Sequence, residues 1–421
     1  VGALCRTDYA RREGEPFSAK AYRVRRVGGV RYTYVKVTSG VLRARDEVRT
    51  ISGVCKVAAI LAPQGGRLLP MGEAHAGQTA ALAGLSARPG EQIGDGFGLE
   101  APETVPLMSV QVEPTAPLTQ SALLAHLREM EEEDPLLSVR PEADGVSVGV
   151  MGAVQVEVLQ GILAARFGDV VRMCPPHVLY RETIAAPVVG IGHYEPLRHY
   201  AEVWLKLEPG APGSGISFAA DCPPNSLEEN WQRLIRTHVF ERAHPGVLTG
   251  SPLCDVRIRL IAGRAHLKHT EGGDFREATC RAIRNALMQA ENVLLEPVVR
   301  FELAMPNEAL ARVTGELLRI GAQLDASETD GGETTLTGRC TAAMFWDYPT
   351  RFAASTHGHG RIASRFDRYE PCKNQDDIVR QSGYDPLADT LNPPGSVFCS
   401  HGAGFYVAWD HVREWAHCEV E

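Results

Sequence analysis

The sequence lacks most of the features that mark secreted, membrane-spanning or zinc-ribbon proteins. Its ten cysteines are scattered singly with no C-x-x-C pair, which argues against a disulfide framework or a zinc ribbon. No run of about eighteen or more apolar residues is present, so we expect no membrane partner and a cytoplasmic location. The chain starts without an initiator methionine and without the order of a signal peptide, and we expect it to be part of a longer protein.

A phosphate-binding loop is also missing. Nothing in the chain matches G-x-x-x-x-G-K-[ST], and no Asn-Lys-x-Asp element follows. Without the backbone amides and the lysine that cradle a triphosphate, the chain should neither bind nor hydrolyse GTP. We therefore predict no cofactor and no catalytic residue within it.

Length and local patterns predict several domains. The chain has 421 residues, of which 44% are hydrophobic and 23% charged, enough for about three or four ordinary domains. Short β-type runs broken by paired glycines fill residues 1–104 and suit a small antiparallel barrel. Residues 105–186 and 297–371 each alternate strands and helices in a β-α-β order. The predicted fold class is multidomain α+β, an N-terminal antiparallel β-barrel followed by ferredoxin-like split β-α-β domains.

The most informative segment lies in the remaining predicted domain, residues 187–296. From Asp255 to Leu260 charged and apolar side chains alternate, typical of a strand with one buried face. The residues after this strand contain little that could anchor them to a core, and they predict a protruding loop with a tight glycine turn. The loop residues are His266, Leu267, Lys268, His269, Thr270, Glu271, Gly272 and Gly273. Asp274 is interpreted as the N-cap of a helix whose apolar stripe begins at Phe275.

Charge is unevenly distributed along the chain. The formal net charge is −9, but binding to phosphates depends on local clusters of cations more than on the sum. Such clusters flank the loop and a glycine- and histidine-rich turn at residues 356–361, and two interpretations remain open: an RNA-contacting surface and an ordinary mixed surface. The cluster residues predicted to contact RNA are Arg257, Arg259, Arg264, Lys268, Arg361 and Arg365. The acidic run at residues 129–134 is interpreted as a solvated helix end.

The C-terminal residues 372–421 are too aromatic for plain disorder. They either dock on the preceding domains or offer aromatic side chains to stack on RNA bases, and the sequence leaves both open. Histidines and cysteines lie close together at residues 357–359, 399–401 and 417–418. Because these groups lie near glycines in turns, we interpret them as solvated histidines and predict no metal site.

Several motifs, in order, resemble one family. The segments EPFSAKAYRVRRVGGVRYTYVKVTSGVLRARDEV (15–48) and VGVMGAVQVEVLQGIL (148–163) are similar to its second and third domains. The segments HYAEVWLKLEPGAPGSG (199–215) and NVLLEPVVRFELAMPNE (292–308) resemble the start of its fourth domain and the passage into its fifth. With the loop, they resemble elongation factor G and the tetracycline-resistance ribosomal protection proteins. The resemblance implies a translation-factor barrel at 1–104, a third domain at 105–186, a fourth domain with a ribosome-entering loop at 187–296, a fifth at 297–371 and a C-terminal extension at 372–421.

The resemblance also implies partners and an activity. The parent protein would bind GTP and Mg²⁺ through a GTPase domain in cis, ahead of Val1. This chain would contact the ribosome, at the rRNA of the small-subunit decoding region and at the factor-binding region of the large subunit. Residues 266–273 would enter the decoding region and release bound tetracycline.

Three alternatives stay open. The first is translocation or a housekeeping role, since protection proteins place prolines and serines in this loop and His266 falls where elongation factor G carries a histidine. The second is an enzyme that uses His266, His269, Glu271 and Asp274 as acid–base groups, which requires a sheltered cleft. The third is an RNA- or protein-binding scaffold without GTPase coupling.

Overall fold

The computed structural model describes residues 9–99, 105–142 and 145–418, and the chain divides into two compact units, residues 1–177 and 178–421. The multidomain α+β class predicted from the sequence is confirmed. Cys5 and the predicted domain end at residue 104 lie outside the described residues. No helix in the described part of the chain is long and apolar enough to cross a membrane.

The first unit opens with an antiparallel β-structure. After a 3₁₀ turn at Tyr9–Arg12, its strands are β1 (Ser18–Val27), β2 (Val30–Ser39), β3 (Val41–Arg43), β4 (Glu47–Thr50), β5 (Gly53–Lys56), β6 (Ala59–Gln64), β7 (Arg67–Pro70), β8 (Glu73–His75), β9 (Thr79–Ala83), β10 (Glu91–Gly94) and β11 (Gly98–Leu99). Seven of them form a sheet in the order β11-β10-β1-β2-β9-β6-β7, and β3 pairs with β8 and β4 with β5. Gly28 and Gly29 both adopt positive φ in the β1–β2 turn, as the paired glycines predict. The core beneath includes Val35, Leu82 and Ile93.

A second sheet completes this unit. Its elements are β12 (Met108–Pro114), α1 (Gln120–Glu133), a 3₁₀ turn (Pro135–Leu137), β13 (Arg140–Pro141), β14 (Val146–Val150), α2 (Ala153–Phe167) and β15 (Val171–Val178). The strand order β13-β14-β12-β15 is that of a ferredoxin-like split β-α-β fold, as predicted.

The acidic end of α1 contacts other parts of the first unit. Glu132 accepts hydrogen bonds from the guanidinium groups of Arg26 and Arg31, at 3.1 and 3.3 Å. Glu133 accepts one from Arg166 at 2.9 Å. The interpretation of this run as a solvated helix end was therefore wrong, because neighbouring arginines pair with its carboxylates.

The second unit contains the rest of the chain. Its elements are β16 (Arg181–Ile184), β17 (Val188–Tyr194), β18 (Ala201–Pro209), β19 (Ile216–Ala220), α3 (Glu229–Phe240), β20 (Val256–Ala265), α4 (Gly272–Gln289), β21 (Asn292–Pro306), a 3₁₀ turn (Asn307–Ala309), α5 (Leu310–Arg319), β22 (Gln323–Asp330), β23 (Glu333–Thr341), α6 (Ala342–Phe345), α7 (Tyr348–Ser355), β24 (Arg361–Pro371), α8 (Gln375–Ser382), β25 (Ser396–Ser400), β26 (Ala403–Val407) and α9 (Val412–Trp415). They build two sheets.

The six-stranded sheet has the order β19-β20-β18-β17-β25-β26. Helices α3 and α4 pack on one face, around a core that includes Val203, Ile258 and Phe275. Residues 396–407 extend the sheet as β25 and β26. The residues that follow pack on its other face, where Phe398 and Val412 are buried in one cluster with Trp204. Of the two interpretations of the C-terminal residues, the structure therefore shows docking. We call residues 372–418 the tail.

The five-stranded sheet has the order β16-β21-β23-β22, and β24 also pairs with β21. Strand β22 went unpredicted, because its residues are mostly polar and exposed and show no apolar alternation. Strand β21 runs through the predicted domain boundary at residues 296 and 297, and its first residues pair with β16.

Candidate functional site

A β-bulge in β20 keeps its arginines on one face of the sheet. Val256, Ile258 and Leu260 are buried beneath α3 and α4, as the alternation predicts. The pairing with β18 then shifts, so that Ile261 is an extra residue between the paired Leu260 and Ala262. The shift reverses the alternation, and Arg264 is exposed on the face that also carries Arg257 and Arg259. Without the bulge, this even-numbered position would point into the core.

Helix α4 begins earlier than the sequence predicts. Its N-cap is Glu271, and Gly272 and Gly273 form its first turn. Asp274 is the third helical residue, and its carboxylate accepts a hydrogen bond from the Glu271 N–H at 2.8 Å. The predicted N-cap at Asp274 and the predicted glycine turn are therefore wrong, because Asp274 stabilises the helix start from inside the first turn.

The exposed turn between β20 and α4 is short and internally hydrogen-bonded. We call residues 266–271 the tip loop. The Thr270 hydroxyl accepts from the His266 N–H and donates to the carbonyl of Tyr200, both at 2.6 Å. The Thr270 N–H donates to the His266 carbonyl at 3.1 Å. The expectation that little anchors this loop is thus corrected, since Thr270 ties it to Tyr200, the residue before strand β18.

The end of the tip loop is open to solvent. The Leu267 side chain is fully exposed, and Lys268 beside it is exposed as well. The imidazoles of His266 and His269 stack with their centres 4.6 Å apart. A shallow groove next to the loop is lined by Tyr200, Arg264, His266, Lys268 and His417. The loop thus presents an apolar, an aromatic and a cationic group together.

The acidic groups of this segment serve structural roles. Asp274 is buried, and its second carboxylate oxygen lies 2.8 Å from Nδ1 of His199. Glu271 caps α4. Acid–base catalysis would need these carboxylates free beside a sheltered cleft, so the arrangement gives no support to the enzyme alternative.

The predicted RNA-contacting arginines occupy different surroundings. Arg257 and Arg264 are exposed on β20. Arg259 is ion-paired with Asp221 and Glu208. Arg361 and Arg365 lie exposed on β24 of the five-stranded sheet, where Arg361 makes two hydrogen bonds of 2.8 Å to Glu333. The structure therefore places Arg264 and Lys268 at the tip loop, Arg257 at the opposite end of β20, and Arg361 and Arg365 on a separate sheet.

A buried polar cluster that sequence reasoning missed lies behind the tip loop. His193 on β17 faces Glu202 on β18, both fully buried, with His193 Nδ1 2.7 Å from the carboxylate. Glu202 also accepts hydrogen bonds from the Trp204 indole and from the backbone N–H groups of His417 and Cys418, at 2.7–2.8 Å. Burial alone would raise the pKa of Glu202, but these hydrogen bonds lower it to about 2. The signal available in the sequence was the facing pair across the β17–β18 hairpin.

The fold and this geometry define a multidomain α+β protein that presents an exposed loop on a rigid sheet. Residues 176–291 match the family model of elongation factor G, domain IV, and residues 293–378 match that of the elongation factor G C-terminus. These two segments are therefore similar to domain IV and to the C-terminus of elongation factor G, and the tip loop and β20 lie within the first match.

A solved structure gives a further comparison. A crystal structure of a protein from Thermus thermophilus is similar to this chain with a TM-score of 0.56 and 24% sequence identity. The similarity covers 89% of this chain and 59% of that one, so the matched part is well short of the whole of the solved protein. At this identity the comparison shows a shared fold.

Proposed function

We propose that this chain is the ribosome-binding part of a translational GTPase and that its tip loop contacts rRNA in the decoding region of the small subunit. The observation that carries the proposal is the fully exposed Leu267 at the end of a hydrogen-bonded loop within the domain IV match. An exposed apolar side chain beside Lys268 and a histidine pair suits a surface that stacks on bases and neutralises phosphates.

The proposed activity of the parent protein is release of tetracycline from the ribosome. The hydrogen bonds of Thr270 hold the tip loop in one conformation. An inserted loop would therefore displace a bound drug by occupying its space, and would not change its own conformation to fit around the drug. A GTPase domain in the same parent protein would bind GTP and Mg²⁺ and contact the factor-binding region of the large subunit. Its GTP-bound state would favour insertion of the tip loop, and the parent would act in the cytoplasm. Translocation is the second candidate, and the matches to elongation factor G favour it.

Substitution of the exposed side chains tests the contact. The triple variant Leu267→Ser, Lys268→Ser, His269→Ser leaves Thr270 and the helix cap in place. Because surface changes usually stay within about 0.5 kcal/mol, its melting temperature should match that of the unmodified chain while co-sedimentation with ribosomes falls. The control variant Leu391→Ser, Lys373→Ser, His401→Asn changes three exposed side chains elsewhere in the second unit.

Two results would contradict the proposal. One is full ribosome binding by the tip-loop variant, and the other is an equal loss of ribosome binding in the control.

In the full-length parent, drug-susceptibility and translocation assays of the tip-loop variant separate tetracycline release from translocation, because the variant should lose only the activity that the loop performs.

Salt dependence tests the electrostatic part. If Lys268 contacts a phosphate, Lys268→Ala should reduce the log–log slope of ribosome affinity against salt by about 0.7–0.9. Lys373→Ala removes the same charge from the tail and should leave the slope unchanged. An unchanged slope for Lys268→Ala would place this side chain outside the contact.

We also propose that nucleotide binding belongs to the parent's GTPase domain. The 421-residue chain should give no heat of binding with GTP and Mg²⁺ in calorimetry, because it lacks a phosphate-binding loop. Micromolar binding by the chain alone would refute this assignment.

A further inference from the structure

Three side chains with metal-ligand chemistry meet between the tail and the β17–β18 hairpin. His193 lies on β17, Glu195 follows that strand, and His417 comes from the tail. One nitrogen or carboxylate oxygen from each lies within 4.8 Å of the others. The His193 ring is held flat against Phe398, with centres 4.0 Å apart, so its ring nitrogens have fixed directions.

The hydrogen bonds of Glu202 determine where His193 carries its proton. The Glu202 carboxylate can only accept, so the proton of a neutral His193 lies on Nδ1, 2.7 Å away. Nε2 then carries a lone pair and points at Glu195 Oε2, another acceptor, at 3.1 Å. Two facing lone pairs at this distance repel each other. A second ring proton or a cation is needed to make the contact favourable.

The charge balance favours a cation. The carboxylates of Glu195 and Glu202 lie 3.1 and 2.7 Å from the two ring nitrogens of His193, and the His193 and Glu202 side chains are fully buried. Two carboxylates therefore share one imidazole at a partly buried site, where unpaired negative charge is costly, and the Arg264 guanidinium, which donates to the His417 carbonyl at 3.4 Å, offsets only part of it. A divalent cation at Nε2 would offset this charge. A carboxylate behind a ligating histidine, as Glu202 lies here, is the usual outer partner of such a ligand.

We propose that His193, Glu195 and His417 form a Zn²⁺ site that joins the tail to the β17–β18 hairpin. Two histidines and a glutamate are a donor set that Zn²⁺ accepts, with a fourth position for water. Tetrahedral bonds of about 2.0–2.2 Å place ligand atoms about 3.3 Å apart, and the His193–Glu195 distance of 3.1 Å is already close to this. The Tyr200 hydroxyl, 3.0 Å from His417 Nδ1, can accept that proton and free Nε2 for the metal.

The surroundings of these three side chains also show how an ion could reach the site and what its binding would do. The Glu195 side chain is 22% exposed, which gives an ion a route from solvent. Binding would fix His417 to a residue more than 200 positions earlier in the chain. This inference does not depend on the ribosome proposal, and its test contains no ribosome.

The test is Zn²⁺ titration of the 421-residue chain after metal removal with a chelator. In competition with a chromophoric chelator, the chain should take up one Zn²⁺, and Co²⁺ should give the absorption bands of tetrahedral nitrogen and oxygen coordination. His417→Gln should weaken binding at least about 100-fold, since even loss of an outer partner costs 10–100-fold. The control His401→Gln removes an exposed tail histidine and should bind as the unmodified chain does.

Further variants keep the proposal falsifiable if His417→Gln folds poorly. Glu195→Gln changes a partly exposed ligand and should also lose Zn²⁺ while its circular dichroism stays unchanged. A folded Glu195→Gln that binds normally overturns the proposal, and so does the absence of stoichiometric uptake by the unmodified chain. Uptake that survives His417→Gln but is lost in His269→Gln would place the ion at the stacked His266 and His269 and would likewise overturn it.

Discussion

Replacing Gly192 by alanine tests how closely helix α4 is held on strand β17. A Cβ atom at Gly192 would lie 1.9 Å from the carbonyl oxygen of Ala278 and 2.5 Å from the backbone nitrogen of Ala282. Gly190 makes the same approach one pleat earlier, with a Cβ position 2.0 Å from the Ala282 carbonyl oxygen. These neighbours are backbone atoms of a helix, so no side-chain rotation relieves the clash. The helix or the strand must move.

Gly192→Ala should lower the free energy of unfolding by a large amount for the addition of one methyl group. Over-packing of a core typically costs about 1–3 kcal/mol and sometimes more, and a clash with helix backbone belongs at the upper end, about 3 kcal/mol. For a unit of this size, each kcal/mol lowers the melting temperature by about 2–4 °C, so Gly192→Ala should melt about 6–12 °C lower. Since α4 begins at the tip loop, the shift should also weaken ribosome binding.

A glycine in α5 provides a matched control. Gly315 lies inside that helix, and a Cβ there meets no atom within 4 Å. Alanine is favoured over glycine in a helix interior by about 0.5–1 kcal/mol, so Gly315→Ala should raise the melting temperature slightly. Scanning calorimetry of both variants makes the comparison. A Gly192→Ala protein that melts with the unmodified chain would refute the close approach of α4 to β17.

Three further outcomes are expected from other contacts. Phe398→Ala should destabilise the second unit by about 3–5 kcal/mol in urea unfolding, because this tail side chain is fully buried against Trp204 and Ile191. Thr119→Ala should cost about 1 kcal/mol in the first unit, since its hydroxyl caps α1 by accepting from the Ala122 N–H. Burial alone would raise the pKa of Asp389, but hydrogen bonds from Tyr384 and Asn392 lower it below the usual 3.8. Its ionised carboxylate therefore stabilises the fold above about pH 4, and this contribution is lost as the pH falls through the lowered pKa. In Asp389→Asn, the free energy of unfolding should therefore decrease less steeply in acid than it does in the unmodified chain.

Local sequence patterns predicted the features of β20 and α4 that depend on residues close together in the sequence. Alternation placed Val256, Ile258 and Leu260 inside, and the apolar stripe from Phe275 predicted a helix. The bulge at Ile261 was not predictable, because it is set by the pairing with β18. The true helix start also escaped prediction, since glutamate is a weaker N-cap signal than the aspartate three residues later.

Long-range contacts account for the rest. Nothing near His417 in the sequence indicates that its backbone N–H would bind Glu202, which lies 215 residues earlier. Composition indicated that the tail would be ordered or bind RNA, but not that β25 would extend the sheet beside β17. Strand β22 pairs with β23 through backbone hydrogen bonds. Its side chains are mostly polar, so their pattern in the sequence gives no signal of this pairing.

The late position of β25 in the chain bears on the order in which the protein can fold during its own synthesis. The Ser396 hydroxyl that binds the His193 N–H is made 203 residues after that histidine. At about 5–20 residues per second, roughly 10–40 s pass before the strand arrives. Until then β17 is an open edge, with the apolar residues Val189 and Ile191 uncovered, the kind of edge that pairs with other chains. Nascent molecules that stall before residue 396 should therefore require chaperone binding, whereas completed ones should not.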